Sequence, residues 1–228
     1  SNQHIYEYLE DKLRNILVIL CHKEQQNYEQ EVVSKGSCFL INDRNAMMTA
    51  KHVIEDAVDS KDHKIFVYIR KIGFVEYTIS KVITKSENEY SNIDIDLALL
   101  YPKTSINRKA EPIIIRNRPP KTGESVLCVG FSDEILTSSS NISKNLKQDH
   151  PEIKEMTDKM KEKIPFINNI QDAMEIFYRP LMKRSMISNV ISLKIKNDKI
   201  KNTYNGWIAI TDNMIHAGAS GGPVVDNN

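Results

Sequence analysis

Cysteine is scarce: Cys21, Cys38 and Cys128 are the only three in 228 residues, and they are widely spaced. That excludes a disulfide framework and a thiolate metal site; the three read as small buried hydrophobes. Long apolar runs are missing too. The longest early one, Ile16–Cys21, is far too short to span a bilayer, so no membrane partner is expected. Neither sign of charge dominates, since 31 Lys plus Arg against 30 Asp plus Glu leave a formal net charge of +1. That balance gives no reason to expect nucleic acid. Lys194, Lys196, Lys199 and Lys201 interleave with Asp198 and polar residues, in the manner of a solvated hairpin. No glycine fingerprint for a dinucleotide or a phosphate loop is present, nor a His-Glu-x-x-His spacing, nor alternating carboxylates of a calcium loop. No metal and no cofactor are therefore expected. No signal pattern is visible, but the chain begins at Ser1 rather than methionine, so this says little about a native precursor. With no disulfide framework either, the cytoplasm is the favoured compartment.

What is present is a globular composition, 40% apolar and 27% charged, long enough for one large domain or two packed halves. Ile5, Tyr8, Leu9 and Leu13 recur at helical spacing within residues 4–14, predicting a short amphipathic helix. Strands follow at Ile16–Cys21, Val32–Ile41 and Ala46–Ala50, with a polar loop over Glu24–Glu31. Further strands are expected at Lys64–Lys71, Phe74–Val82, Leu97–Tyr101, Pro112–Ile115, Ser125–Phe131, Met186–Ile195 and Trp207–Thr211. Short strands without crossover helices between them indicate an antiparallel all-β fold. Between about 132 and 175 the composition turns polar and charge-rich, with Ile153, Met156, Met160 and Ile164 at helical spacing. This segment reads as a helical insertion, or as a surface loop with nascent helix.

The chemistry gathers at three places. In His216-Ala217-Gly218-Ala219-Ser220-Gly221-Gly222-Pro223, glycines flank a serine closely enough for a sharp turn with an exposed hydroxyl. Such a turn aims the N–H groups of Gly218 and Ser220 to one side, as an oxyanion hole requires. Thr49-Ala50-Lys51-His52-Val53 puts a histidine at a strand end, and Asp94-Ile95-Asp96-Leu97 puts an aspartate before an apolar run. A serine hydroxyl is a poor nucleophile at neutral pH and needs a base, which in turn needs an orienting acid. His52 is the candidate base, its bland alternative being a core histidine. Asp96 is preferred to Asp94 as the acid because it abuts Leu97–Leu100, where a buried carboxylate would sit. The order His, Asp, Ser is one of the known chain orders of this triad.

Together, Gly36-Ser37-Cys38-Phe39-Leu40-Ile41, Thr49–Val53, Asp96–Leu100 and Gly218–Pro223 resemble the trypsin-like serine peptidases, closest in style to the bacterial HtrA/DegP-like protease domain. The resemblance implies two packed antiparallel six-stranded barrels with a cleft between them. The divisions expected are an N-terminal helix (1–14), a first barrel carrying His52 and Asp96 (15–115), and a second barrel carrying Ser220 (116–228). Because the family pattern continues for several strands past the serine and this chain runs eight residues beyond it, the second barrel is expected to be incomplete. Cys38 stands where the family often has glycine, and no cysteine pair flanks His52. The resemblance implies that His52, Asp96 and Ser220 are catalytic, with Gly218 and Ser220 supplying the oxyanion-hole amides. It places Met214 near the floor of the substrate pocket and His216 beside it, implying an apolar or small side chain at the cleavage site. Ala219 lacks the charge that zymogen-activated relatives use to bind a freed N-terminus.

Two functional classes follow. One is a serine endopeptidase acting on protein or peptide substrates through a covalent acyl-enzyme; an esterase would use the same chemistry. The other is a catalytically silent trypsin-like domain that binds or scaffolds proteins, with the helical insertion as the partner surface.

Overall fold

The computed structural model describes residues 2–24, 27–83, 86–87, 92–93, 95–131, 180–197, 202–212 and 220–226. Helix α1 (Asn2–Glu10) lies where the 3.6-residue pattern puts it, with Leu9 fully buried. Strands β1 (Leu13–Glu24) and β2 (Asn27–Leu40) then form a long hairpin. The polar stretch expected as a loop from Glu24 to Glu31 is mostly strand, because ladder pairing carries the hairpin past the apolar residues that begin it. β3 (Met47–Thr49) runs into α2 (Lys51–Ile54) and a 3-10 turn (Glu55–Ala57). β4 (His63–Ile69), β5 (Gly73–Ile83), the short β6 (Ser86–Glu87) and β7 (Asn92–Ile93), and β8 (Leu97–Pro102) follow. After a long connection come β9 (Ser125–Gly130), β10 (Leu181–Asn197), β11 (Asn202–Thr211) and β12 (Val224–Val225).

The first half closes into a six-stranded antiparallel barrel in the order β1-β2-β3-β8-β5-β4. The second half does not. Among the described residues it is an open four-stranded sheet, β11-β10-β9-β12, which overturns the expectation of two matched six-stranded barrels. A barrel needs its last strand to pair with its first, and here β11 and β12 lie at opposite edges. The expected strand at Pro112–Ile115 is also absent. Only Ile113 is buried there, donating one backbone bond to the Leu40 carbonyl (3.0 Å), while Ile114 and Ile115 are exposed. The expected helical insertion at 132–175 lies outside the described residues.

Alternation along β1 and β4 builds two cores from the same strands. Ile16, Val18, Ile65 and Val67 point into the barrel with Leu40, Met47 and Leu100. Leu13, Leu17, Phe66 and Tyr68 point the other way, into a cluster with Leu127, Val129 and Phe131 around β9. The open sheet is thereby packed on the outside of the barrel, and Leu9 of α1 joins the same cluster. No described helix is long and apolar enough to cross a membrane.

Candidate active site

β3 ends at Thr49, and Ala50 is extended (φ −76°, ψ 137°) before the four residues of α2. Val53 and Ile54 bury themselves, while the His52 side chain stays 55% exposed on the barrel rim. A helix this short cannot satisfy its own first N–H groups, and Ala50 offers no side-chain cap. Asp96 does so from across the sheet. It stands immediately before β8, whose Ala98 pairs with Thr49, so the β3–β8 ladder carries the carboxylate to the histidine. One oxygen, Oδ1, accepts the His52 backbone N–H at 2.8 Å, and Oδ2 lies 2.5 Å from the ring Nδ1. With Nδ1 engaged, Nε2 is the ring nitrogen left to take or give a proton. The expected burial of Asp96 is not found, its side chain being 47% exposed. The apolar run that follows it does go inward at Ala98 and Leu100, but Asp96 itself lies before the strand begins, on the rim.

Ser220 reaches the same rim from the second sheet. Its carbonyl accepts the Ser37 N–H of β2 at 2.8 Å. Gly221, at φ +88°, lies against the Ser37 carbonyl, Thr49 Oγ1 and the Ala50 nitrogen, so closely that a Cβ there would overlap the first two and crowd the third. Gly36 is required on the other side, where a Cβ would come within 2.7 Å of Val53 and 3.0 Å of the Ser220 carbonyl. After the turn, Val224 and Val225 pair with Cys128 and Leu127 of β9, and the Pro223 carbonyl accepts Val129 N–H at 3.1 Å. Asp226 then meets Arg116 at 2.7 Å, and the same guanidinium binds Glu124 at 2.5 Å. Those hydrogen bonds from Arg116 hold the Glu124 carboxyl down at about 2, against an ordinary 4.5, and they push the Arg116 guanidinium up.

The fold thus joins His52 to Asp96 directly, docks the Ser220 carbonyl onto Ser37 of β2, and lays Gly221 against Ser37, Thr49 and Ala50. It does not join the Ser220 hydroxyl to the His52 ring by a hydrogen bond. Asp94, Met214, His216 and Gly218 lie outside the described residues. Among the described residues no group of three His, Cys, Asp or Glu side chains is arranged to hold a metal. Sequence reasoning passed over Ser37 and Thr49, whose only signal is their place inside the two motifs around His52.

The trypsin-like peptidase domain matches residues 36–228, all but the first 35 positions. No curated protein matches the chain. Among solved structures, the crystal structure of Deg5 superposes with a TM-score of 0.55 at 16% identity, covering 99% of this chain and 78% of that one. At that identity the likeness is one of fold, in keeping with the HtrA/DegP-like style of the motifs. The family match takes in the histidine, the aspartate and the serine together, and the chain belongs to the trypsin-like peptidase domain family.

Proposed function

We propose that the protein is a serine endopeptidase in which Ser220 attacks the scissile carbonyl and His52 takes the hydroxyl proton through Nε2. His52 then delivers that proton to the leaving amine, and water releases the acyl group from Ser220. Asp96 fixes the imidazole tautomer and stabilises the imidazolium without becoming protonated. The observation that carries this reading is the double grip of Asp96 on His52, backbone N–H and Nδ1 together. A carboxylate placed for charge alone needs only the ring; holding the backbone as well fixes where the ring stands. The Ser220 and Gly218 amides are the proposed oxyanion donors, and Met214, with His216 beside it, the proposed pocket floor that favours an apolar or small side chain.

A fluorophosphonate probe tests the reading. Covalent labelling of the full chain that disappears in Ser220→Ala is expected; labelling unaffected by that substitution counts against it. Cleavage of a peptide library is expected to show apolar or small residues before the cut, and a basic preference would remove Met214 from the pocket. The missing hydrogen bond between Ser220 and His52 is the one observation favouring a silent binding domain. Hydrogen bonds of catalytic groups are often long before substrate arrives. A complete failure of labelling would favour the silent domain.

A further inference from the structure

Ser37 is fully buried, and each of its polar groups is used on a different partner. Its N–H donates to the Ser220 carbonyl at 2.8 Å. Its carbonyl accepts Thr49 Oγ1 at 2.8 Å, and its Oγ accepts the Phe131 N–H at 2.9 Å. Phe131 directly follows β9, and Ser220 precedes β12, the strand that pairs with β9. One barrel residue therefore holds the second sheet at two points, the end of one strand and the turn before its neighbour. Thr49, 1% exposed, completes the arrangement: its hydroxyl sits between the Ser37 carbonyl and the bare backbone of Gly221. Thr49 is also three residues before His52, on the strand that leads into it.

We propose that Ser37 and Thr49 are positioning residues that set the Ser220 turn in register with His52; this rests on Ser220 being the nucleophile. The bonds described for the two hydroxyls are to backbone atoms, the Ser37 carbonyl for Thr49 and the Phe131 N–H for Ser37. Their effect passes through the backbone. Thr49 fixes the Ser37 peptide, the Ser37 N–H fixes the Ser220 carbonyl, and the Ser220 hydroxyl is carried with it. A misplacement of about 1 Å at a reacting atom costs on the order of 10²-fold in rate. Loosening this chain of contacts should therefore lower turnover more than substrate affinity.

Thr49→Val keeps the shape and deletes the hydroxyl, while Thr49→Ser keeps the hydroxyl. Fluorophosphonate labelling rate, kcat and KM on a peptide substrate, melting temperature, and hydrogen exchange over residues 220–226 are measured on both full-length variants. Thr49→Val is expected to lower kcat and labelling by about 10–100-fold with KM little changed, and to speed exchange over 220–226. Thr49→Ser is expected to restore rate and exchange toward the parent. Equal labelling by the two variants, or losses in both that merely follow melting temperature, would overturn the proposal. Should the parent chain itself fail to label, the peptidase reading falls, and exchange alone judges the contact. Faster exchange in Thr49→Val but not in Thr49→Ser supports the positioning role, and unchanged exchange contradicts it.

Discussion

The two halves of the molecule meet the same task unequally. The barrel closes on itself, encloses a core of its own, and presents His52 and Asp96 already joined. Among the described residues the second sheet is open, and its inner face finds apolar cover on the outside of the barrel's own strands. The Ser220–Gly221 turn rests on atoms of the barrel: the Ser37 N–H on the Ser220 carbonyl, and the Thr49 hydroxyl and Ala50 nitrogen beside Gly221. The difference teaches that half of the site is a property of one closed unit and the other half is a property of docking. Changes inside the barrel should act on the proposed base. Changes at the shared face should act on the proposed nucleophile without disturbing the His52–Asp96 pair.

The largest effect is expected where the comparison is sharpest. Asp96→Asn removes the acid proposed to orient His52 and should lower kcat by about 10⁴-fold with the fold intact, by analogy with measured triads. Steady-state kinetics beside a thermal melt checks this, and a loss of only a few-fold would mean the grip on His52 is capping alone. Next comes Leu17→Ala, which removes a side chain 1% exposed in the cluster between barrel and sheet. It should cost about 2–5 kcal/mol in urea unfolding. Trp207, the only tryptophan, lies on β11 of the open sheet and reports that half by fluorescence. If the sheet leans on the barrel, the Trp207 signal in Leu17→Ala moves to lower urea than the far-UV circular dichroism; coincident transitions would make the two halves one cooperative unit.

The smallest effect concerns acid. Glu124 has its folded pKa depressed to about 2, chiefly by hydrogen bonds from Arg116, against an ordinary 4.5. The sign is that of a carboxylate favoured in its charged, folded form. Its contribution is present above about 4.5 and is lost as pH falls toward 2. Glu124→Gln should therefore be less stable than the parent at neutral pH, with a shallower fall between those values. Melting temperature across that window reads it, and an unchanged slope would show the Arg116 contact to be solvent-screened.

Much of the barrel was legible because its information is local. The unbroken apolar run Ile65–Ile69, the break after Ala50 and the aspartate beside Leu97 each fix an element or a boundary without reference to distant residues. The closure of the barrel and the openness of the second sheet were not, since strand number depends on which edges find partners far along the chain. The isoleucines at 113–115 show the same limit. They have strand composition, but only Ile113 bonds to another backbone, the Ile114 N–H going to the Tyr8 hydroxyl instead, so no ladder forms. The motifs single out His52, Asp96 and Ser220 as candidates, and the structure joins the first two. The exposure of Asp96 could not be read from them, because an apolar run says which residues go inside and not how far beyond its end the burial extends.

In the proposed reaction an imidazole held by the barrel acts on a hydroxyl carried by the sheet. Mass spectrometry of the full chain after fluorophosphonate treatment, compared with His52→Ala, measures this directly. The prediction is a single adduct on Ser220 whose formation slows by at least about 10³-fold without the imidazole. An adduct on another residue, or equal labelling of Ser220 in the two proteins, would contradict it.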